Sequence, residues 1–439
     1  MEILCSRKEK IDMTPRKLAH ELLIKAEKSA QYSNITLDNA LSKQDFSSAD
    51  KKLISIIFYG VTERKLFLDY QISSLSSRTI EDININTLTA LRMGLYQLIY
   101  LDRVPPHAAI NESVNLVSKK SAGFVNAILR SFQRNESPFL PSKDNIEQYI
   151  SICYSVCQPL ASLFLKIFGE AGTERFLTAI NTANDITLRT NTLLCSRDRL
   201  IENIDASQPT ENSSSGIYAK GSVRELYGFE EGYFFVQDEA SQIAVEALGV
   251  KENDTVIDLC SCPGSKSFGA AIEMKNKGKI YSFDLHENKL SLVINGANRL
   301  KIDIIETAAA DSRINISKFN GIADKVICDV PCSGFGVLSK KPELRYKDPS
   351  ASASLPTIQS DILDNACRYV KKGGILLYST CTVLPTENEE NISAFLKRHP
   401  DFSLLPWKVG KIEAKSGMIT LLPHVHNTDG FFIAKLIKN

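Results

Sequence analysis

Residues 255–267, TVIDLCSCPGSKS, place a short apolar run directly before a turn of small residues and an apolar helix. A strand–turn–helix unit of this kind lets a ligand approach the backbone, and a helix amino-terminus favours a carboxylate or phosphate. The turn contains neither G-x-G-x-x-G nor a Walker A loop, which argues against a nicotinamide or ATP site of the usual kind. These residues alone fit an ordinary βα turn as well as a ligand-binding loop.

The chain from residue 233 onwards alternates between strand-like and helix-like segments. The strand-like runs lie at 255–260, 279–285, 325–330 and 374–381. Helical patterns, such as 288–300 and 357–370, lie between them. This alternation predicts an α/β doubly wound, mainly parallel sheet with helices on both faces. Ligands of such sheets bind at the carboxyl ends of the strands, so functional residues are expected there.

Acidic residues follow the first strands of this predicted sheet. Asp284 lies 26 residues after Asp258, at the end of the second strand, where a carboxylate can accept hydrogen bonds from both hydroxyls of a ribose. Asp311 follows the strand-like run 304–310 and could meet an adenine amino group. Each residue taken singly fits a helix cap or a solvated loop. Together with the turn, they favour an adenosyl-type ligand.

Two cysteine motifs follow later strands, DVPCSGFG at 329–336 and YSTCT at 378–382. A parallel sheet would deliver Cys332 and Cys381 to the same crevice. A lone buried cysteine is usually an inert packing residue, and this interpretation covers Cys5, Cys153, Cys157, Cys195 and Cys367. The C-x₃-C spacings in the chain have no histidine at zinc-finger spacing, so no metal is expected.

The rest of the chain predicts two further domains, so the protein is expected to be multidomain. Residues 1–140 follow the pattern of an all-α bundle of about six helices, with Thr14 and Ser48 as helix caps. After a polar, proline-containing linker, residues 145–232 mix helix-like and strand-like runs and predict a small α+β unit. Residues 233–439 carry the motifs described above.

Composition excludes several classes of protein. With 439 residues, 43% hydrophobic and 23% charged, the chain is an ordinary globular one, neither disordered nor fibrous. The net charge is +1, so affinity for nucleic acid would have to come from local patches. The amino-terminus lacks the apolar segment of a secretory signal, and no run approaches the length of about 20 apolar residues that a membrane helix needs. We therefore predict a cytoplasmic protein without membrane contact, whose ten cysteines are free thiols.

The motifs DLCSCPGSKS, DVPCSGFGV, LLYSTCTVLPTENEEN and DGFFIAKL resemble the successive motifs of RNA cytosine-C5 methyltransferases of the Nol1/Nop2/Sun family. YGVTERK, LRMGLYQLIYLDRVPPHAAINESVNL and GFVNAILRSF resemble the NusB-like domain fused to one branch of that family, called RsmB, Sun or Fmu. The resemblance covers most of the chain and is weakest at 145–232. It implies a Rossmann-like class I methyltransferase domain with S-adenosylmethionine (S-adenosyl-L-methionine) as methyl donor. The implied substrate is 16S rRNA, at position 967 in the usual numbering, or a small-subunit assembly intermediate, and a monomer is expected.

The resemblance also implies a role for each site residue. Cys381 is similar to the nucleophile that adds to C6 of cytosine, and Cys332 is similar to the general base that assists release. Asp329 and Lys266 would contact the polar edge of the flipped base. Ser265 stands where the family has glycine, so a side chain would lie where the backbone bends towards the cofactor. The cofactor residues implied are Cys260, Ser261, Cys262, Pro263, Gly264, Ser265, Lys266, Asp284 for ribose, Asp311 near adenine, and Asp329.

RNA is the expected substrate because such enzymes act on an unpaired, extruded base. The basic residues that are candidates for phosphate contact are Arg64, Lys65, Arg103, Lys119, Lys120, Arg130 and Arg134. Lys340, Lys341 and Arg345 flank the active-site motif. Each of these residues taken singly fits a solvated surface charge better. An alternative is that the protein methylates C5 of a cytosine at another rRNA site or in tRNA. A non-catalytic RNA-binding assembly factor would leave Cys332 and Cys381 without a role, and a nicotinamide oxidoreductase would need the missing glycine motif.

Overall fold

The computed structural model describes residues 13–29, 34–135, 137–182 and 185–439, so Cys5 lies outside the described residues. The chain forms two compact units. The first contains the chain up to Glu174 together with Lys340–Asp348, and the second contains Arg175–Ser339 and Pro349–Asn439. The segment 145–232, expected to form a part of its own, is thus divided between the two units.

The first unit is an all-α bundle. Its helices are α1 (Pro15–Ser29), α2 (Asn34–Ser42), α3 (Ser48–Glu63), α4 (Lys65–Leu75), α5 (Ile85–Tyr100), α6 (Pro106–Asn115), α7 (Lys119–Gln133), α8 (Ile146–Tyr154) and the first part of α9 (Gln158–Asn181). Helix α5 is buried along most of its length, which explains why its sequence shows no polar face. Helix α9 bends at Gly169, where φ is +67°.

The predicted caps differ in outcome. The Lys17 N–H donates to the Thr14 hydroxyl at 3.3 Å, so α1 begins as expected. Helix α3 is capped by Ser47, whose hydroxyl accepts from the Asp50 N–H at 3.1 Å, and Ser48 is its first helical residue. Adjacent serines carry the same capping preference, so sequence alone does not choose between them.

A small antiparallel sheet opens the second unit. It contains β1 (Ile186–Thr190), β2 (Gln208–Pro209), β3 (Gly216–Ala219) and β4 (Phe234–Val236) in the order β2-β3-β1-β4, with α10 (Arg197–Asn203) beside it. Strand β4 lies beyond residue 232, so the small sheet extends past the boundary expected from the sequence.

The main sheet has eight strands, mainly parallel as predicted. They are β5 (Thr255–Asp258), β6 (Lys279–Asp284), β7 (Ile305–Ala309), β8 (Ala323–Asp329), β9 (Val370–Thr380), β10 (Phe402–Leu404), β13 (Met418–Leu421) and β14 (Phe431–Lys438). The order is β10-β14-β9-β8-β5-β6-β7, with β13 also paired to β14. The five strands from β9 to β7 run parallel, and β14 adds to β9 in the opposite direction. The order therefore reverses between β5 and β8, which is where such sheets bind ligands.

Helices cover both faces of the main sheet. The helices of the second unit after α10 are α11 (Glu239–Leu248), α12 (Ser265–Glu273), α13 (Glu287–Arg299), α14 (Leu355–Tyr369), α15 (Glu389–Arg398) and α16 (Pro423–His426), and β11 (Trp407–Val409) pairs with β12 (Ile412–Ala414) as a hairpin. Val256 of β5 packs in a core with α11, α12 and α13, whereas its neighbour Ile257 packs in a core with α14 and α15. This alternation of side chains confirms the doubly wound arrangement.

Among the described residues, no single helix has both the length and the apolar character needed to cross a membrane. Helices α8 and α9 reach the required length and apolar character only when they are counted as one segment, and this segment is bent by 112° at the break between them.

A segment from the second half of the chain completes the first unit. In this docking segment, Lys340–Asp348, the Arg345 carbonyl accepts from the Cys157 N–H at 2.7 Å. The Arg345 guanidinium donates to the Tyr154 carbonyl at 3.2 Å and has no exposed surface. Arg345 is therefore neither a solvated surface charge nor placed to contact phosphate, because it is a buried anchor of the docking segment.

Tyr346 of the docking segment should stabilise the protein through its hydroxyl. This group donates to the Thr62 carbonyl and accepts from the Lys65 N–H at 3.2 Å. Tyr346→Phe removes the hydroxyl that partners the Thr62 carbonyl and the Lys65 N–H. We therefore expect the free energy of unfolding, measured by urea unfolding, to fall by about 1–3 kcal/mol. Tyr227→Phe is the control, since Tyr227 accepts from Arg199 at an exposed position. The control should change stability by at most about 0.5 kcal/mol, and equal losses would contradict the assignment.

Candidate active site

The loop between β5 and α12 lies at the point where the strand order reverses. Gly264 adopts a φ of +111°, and a Cβ atom there would lie 2.4 Å from the Phe268 ring. This position therefore requires glycine. Ser265 is the first residue of α12 and does not have a positive φ. The left-handed bend thus falls one residue before Ser265, which needs no strained backbone, and an effect of the Ser265 side chain on cofactor binding stays a prediction.

Two buried polar atoms of this region have no hydrogen-bond partner within the described chain. They are Oδ1 of Asp258 and Oγ of Ser261. The other carboxylate oxygen of Asp258 accepts from the Ser267 hydroxyl at 2.7 Å. Burial raises the pKa of Asp258 to about 7, with a further contribution from the Asp329 charge. A ligand that carries a cationic or hydrogen-bonding group would satisfy both atoms, so the loop fits the methionine part of the expected cofactor.

The two carboxylates after β6 and β7 are arranged differently. Asp284 is half-buried and accepts from the backbone N–H groups of Cys262 at 3.2 Å and His286 at 3.0 Å. Asp311 forms an ion pair with Arg313, with 2.6 Å between Nη2 and Oδ2, and this hydrogen bond lowers the pKa of Asp311. An adenine amino group would share Asp311 with this arginine. Leu285, directly after Asp284, and Ile314, three residues after Asp311, are exposed apolar residues in the same part of the chain.

Cys332 and Cys381 meet beyond the carboxyl ends of β8 and β9. Their Sγ atoms are 3.1 Å apart, and the Cys381 N–H donates to Sγ of Cys332 at 3.3 Å. The Gly336 N–H donates to the Cys381 carbonyl at 3.0 Å, which ties the two loops together. A Cβ atom at Gly336 would lie 1.9 Å from the carbonyl oxygen of Gly430, so the close approach of the Cys332 loop to the loop before β14 requires glycine.

The surroundings of the Cys332 thiol favour its protonated form. The hydrogen bond with Cys381 raises the pKa of Cys332 well above its usual value, and burial raises it further. The charges of Glu387 and Asp329 act in the same direction. Either thiol can be the S–H donor of this contact, and burial favours the protonated form of Cys332. Such a donor favours the thiolate form of the acceptor.

Buried Lys266 forms an ion pair with half-buried Asp329, with 2.5 Å between Nζ and Oδ2. The other oxygen of Asp329 accepts from the Ser379 hydroxyl at 2.8 Å. Nζ of Lys266 also lies 5.1 Å from the centroid of the Phe431 ring. The pair presents a donor and an acceptor near the thiols, which is the chemistry needed to hold the polar edge of a base.

The remaining cysteines and basic residues are placed as follows. Burial raises the pKa of Cys153, Cys157, Cys195 and Cys367, which is typical of unreactive thiols. Arg64 lies over the Tyr100 ring, and Lys65 pairs with Glu27 at 3.4 Å, so both are engaged inside the first unit. The exposed candidates for phosphate contact are Arg103, Lys119, Lys120, Arg130, Arg134, Lys340 and Lys341. The described part of the chain contains no group of three or more His, Cys, Asp or Glu residues that could hold a metal ion.

The raised pKa of Asp258 should make stability depend on pH. Between the ordinary value of 3.8 and about 7, the folded protein holds a proton that the unfolded chain has lost. Stability should therefore fall as pH rises through this window, and Asp258→Asn should remove the loss. From roughly pH 4 to pH 8, the free energy of unfolding of the variant relative to that of the wild type should rise by about 2–4 kcal/mol, measured by urea unfolding at each pH. Exposed Asp361→Asn is the control, and parallel curves for the wild type and Asp258→Asn would contradict the expectation.

Comparison with known families identifies both parts of the chain. A family model described as 16S rRNA methyltransferase RsmB/F matches residues 245–437, and a NusB family model matches residues 13–134. The probable ribosomal RNA small subunit methyltransferase B of Bacillus subtilis (strain 168) is 35% identical over 96% of this chain and 98% of its own. A protein of the same name from Synechocystis sp. is 33% identical over 97% of this chain and 100% of its own.

Solved structures agree with these matches. The protein PH0851 has a TM-score of 0.79 at 27% identity, covering 98% of this chain and 100% of that one. A methyltransferase homologue from Pyrococcus horikoshii has a TM-score of 0.59 at 27% identity, covering 67% of this chain and 99% of that one. The predicted NusB-like helical domain and Rossmann-like methyltransferase domain are confirmed. The chain therefore belongs to the RsmB/F family of S-adenosylmethionine-dependent rRNA methyltransferases, with a NusB domain in its amino-terminal part.

Proposed function

We propose that this protein methylates C5 of a cytosine in 16S rRNA by means of two cysteines. The observation that carries the proposal is the 3.1 Å contact between the sulfur atoms of Cys332 and Cys381. C5 of cytosine is too poor a nucleophile to accept a methyl group directly, whereas addition of a thiolate at C6 converts the ring to an enamine. This reaction needs one thiol as nucleophile and a second group as base, and the site offers two thiols in contact.

Cys381 is the proposed nucleophile. The pair first loses one of its two thiol protons to solvent; in the reactive form the remaining proton is on Cys332, and the thiolate Sγ of Cys381 bonds to C6 of the cytosine. The electron pair displaced from the C5–C6 bond makes C5 nucleophilic. N3 takes a proton from solvent, which the Asp329 carboxylate favours by accepting a hydrogen bond from N3–H, and N3 returns this proton to solvent when the product is released. Lys266 holds the same polar edge of the base. S-adenosylmethionine, when bound, supplies the methyl group from its sulfonium.

Cys332 is the proposed base of the release step. Once Cys381 is a thioether, the hydrogen bond that raises the pKa of Cys332 most is lost, so Cys332 can release its proton to solvent. Its thiolate then takes the C5 proton. The electron pair left behind restores the C5–C6 double bond and expels Cys381 as a thiolate. The site returns to one proton shared by two sulfur atoms.

The cofactor is proposed to bind along the ends of β5, β6 and β7. The unpartnered atoms of Asp258 and Ser261 would face its ammonium group, and the loop from Cys260 to Lys266 would surround its methionine part. Asp284 would accept from the ribose hydroxyls, and Asp311 would lie near adenine. No metal takes part in this proposal.

The RNA is proposed to be 16S rRNA or a small-subunit assembly intermediate, bound in the cytoplasm by a monomer. The support is the name shared by the relatives, ribosomal RNA small subunit methyltransferase B. The exposed basic residues of the NusB domain would contact phosphates and help to select the site.

Substitution of Cys381 and substitution of Cys332 should have different effects on the reaction. Cys381→Ala should lower turnover by at least about 10³-fold and leave no covalent RNA complex, because the nucleophile is gone. Cys332→Ala should lower turnover by about 10²–10⁴-fold and accumulate a complex that survives SDS gel electrophoresis, because only release is blocked. Cys195→Ala, remote in sequence and buried in a separate core, is the control. Methylation by Cys381→Ala would overturn the assignment of roles.

The substrate can be tested in cells. Bisulfite mapping of 16S rRNA from a strain that lacks this protein should show the loss of one 5-methylcytosine, at the position equivalent to 967. Re-expression of the wild type, but not of Cys381→Ala, should restore it. An unchanged 16S pattern would reject the proposed substrate, and a loss in another rRNA or in tRNA would favour the alternative targets.

A further inference from the structure

Glu387 has an unusual position in the loop between β9 and α15. Its side chain is buried, with 1% of the residue exposed. One carboxylate oxygen, Oε2, accepts from the Ser333 N–H at 3.0 Å and from Nε2 of Gln359 at 2.7 Å. The other oxygen, Oε1, is buried and has no hydrogen-bond partner in the described chain. A buried carboxylate with an unpartnered oxygen is costly to keep, which points to a functional role.

The contacts of Glu387 lie on both sides of Cys332. Ser333 follows Cys332 directly, and the Gln359 amide that donates to Glu387 also donates to the Pro331 carbonyl at 2.9 Å. The residues before and after Cys332 are thus tied to one buried carboxylate and its amide partner. Because neither hydrogen bond uses the thiol itself, Sγ of Cys332 remains available to Cys381.

The neighbouring residue, Asn388, forms hydrogen bonds on both sides of Cys381 in the other cysteine loop. Its Oδ1 accepts from the Thr380 hydroxyl at 2.6 Å, and its Nδ2 donates to the Thr382 carbonyl at 3.0 Å. These two threonines flank Cys381 in sequence. Consecutive residues of one loop therefore hold the two cysteines, Glu387 the first and Asn388 the second.

We infer that Glu387 is a positioning residue for the release step, whose carboxylate fixes Cys332 against Cys381 and whose negative charge acts on the Cys332 thiol. This inference rests on the proposed function and extends it to a residue outside the reacting pair. The part played by the charge is separable from the part played by the hydrogen bonds, because glutamine has nearly the same shape as glutamate.

The charge on Glu387 acts within a defined set of groups. The groups that raise the pKa of Cys332 are Cys381, through its hydrogen bond and charge, and then Glu387 and Asp329. Asp329 is paired with Lys266, and burial raises the pKa of Tyr378, so this phenol stays neutral. When Cys381 is bonded to RNA, Glu387 and Asp329 remain as the acidic groups that oppose ionisation of Cys332. Removal of the Glu387 charge should therefore let Cys332 ionise at lower pH.

The test follows decay of the covalent RNA complex in single-turnover, acid-quenched reactions of the full chain with 16S rRNA and S-adenosylmethionine across a range of pH. Glu387→Gln should shift the pH of half-maximal decay downward by about one unit. Glu390→Gln, an exposed residue three positions away, is the matched control and should keep the wild-type midpoint. A midpoint for Glu387→Gln equal to that of Glu390→Gln would overturn the role of the charge.

Gln359→Met separates position from charge. It removes the side-chain donor that holds Glu387 and keeps the carboxylate, so decay should slow by about tenfold with an unchanged pH midpoint and unchanged RNA affinity. Wild-type decay in this variant would overturn the positioning role, and this result decides that role even if Glu387→Gln does not fold.

If Cys332→Ala fails to trap a covalent complex, the proposed function itself falls. If it traps one while Glu387→Gln and Gln359→Met behave like the wild type, only the inference about Glu387 falls.

Discussion

The register between β8 and β9 is the constraint on which the site depends. Asp329 pairs with Ser379 in this parallel ladder, and the two side chains are hydrogen-bonded at 2.8 Å. From that pair the chain continues for three residues to Cys332 and for two to Cys381. A shift of one residue would turn alternate side chains to the opposite face of the sheet and separate the two sulfur atoms. The ladder of backbone hydrogen bonds between β8 and β9 therefore sets where the two cysteine loops begin relative to each other.

Beyond the strands, the loops that carry the cysteines have no regular ladder to hold them. Buried polar contacts take over this role, such as the hydroxyls of Ser333 and Thr382, which meet at 2.7 Å. Hydrogen bonds of this kind are strong in a low-dielectric interior, but each unpartnered group there is costly. Both kinds of group occur in this site. Amide groups around the loops have hydrogen-bond partners, whereas one carboxylate oxygen each of Asp258 and Glu387 has none in the described chain. The satisfied groups give rigidity, and the unpartnered ones have capacity for a ligand or a proton.

Sequence reasoning located the strands and the cysteine motifs because their signals are local. Alternating β-rich and helical segments define β5, β6, β8 and β9 to within a few residues, and strand ends then point to the crevice. The failures concern properties that only tertiary contacts create. Arg345 looks like any other basic residue until the docking segment buries it, and the left-handed bend at Gly264 depends on how the loop turns into α12. The importance of Glu387 has the same origin, since a TENEE stretch does not show which of its acids is buried.

The docking segment makes the first unit discontinuous in sequence, and this affects the order in which the protein can be assembled. A chain that emerges from the ribosome amino-terminus first usually folds its leading domain before the next one is complete. Here Lys340–Asp348 belongs to that leading unit but is synthesised after strands β5 to β8. The helical bundle can thus reach its final packing only when four of the eight strands of the main sheet have already been synthesised. Maturation of the two units is coupled by chain connectivity itself, so a bundle released early would lack its last piece of core.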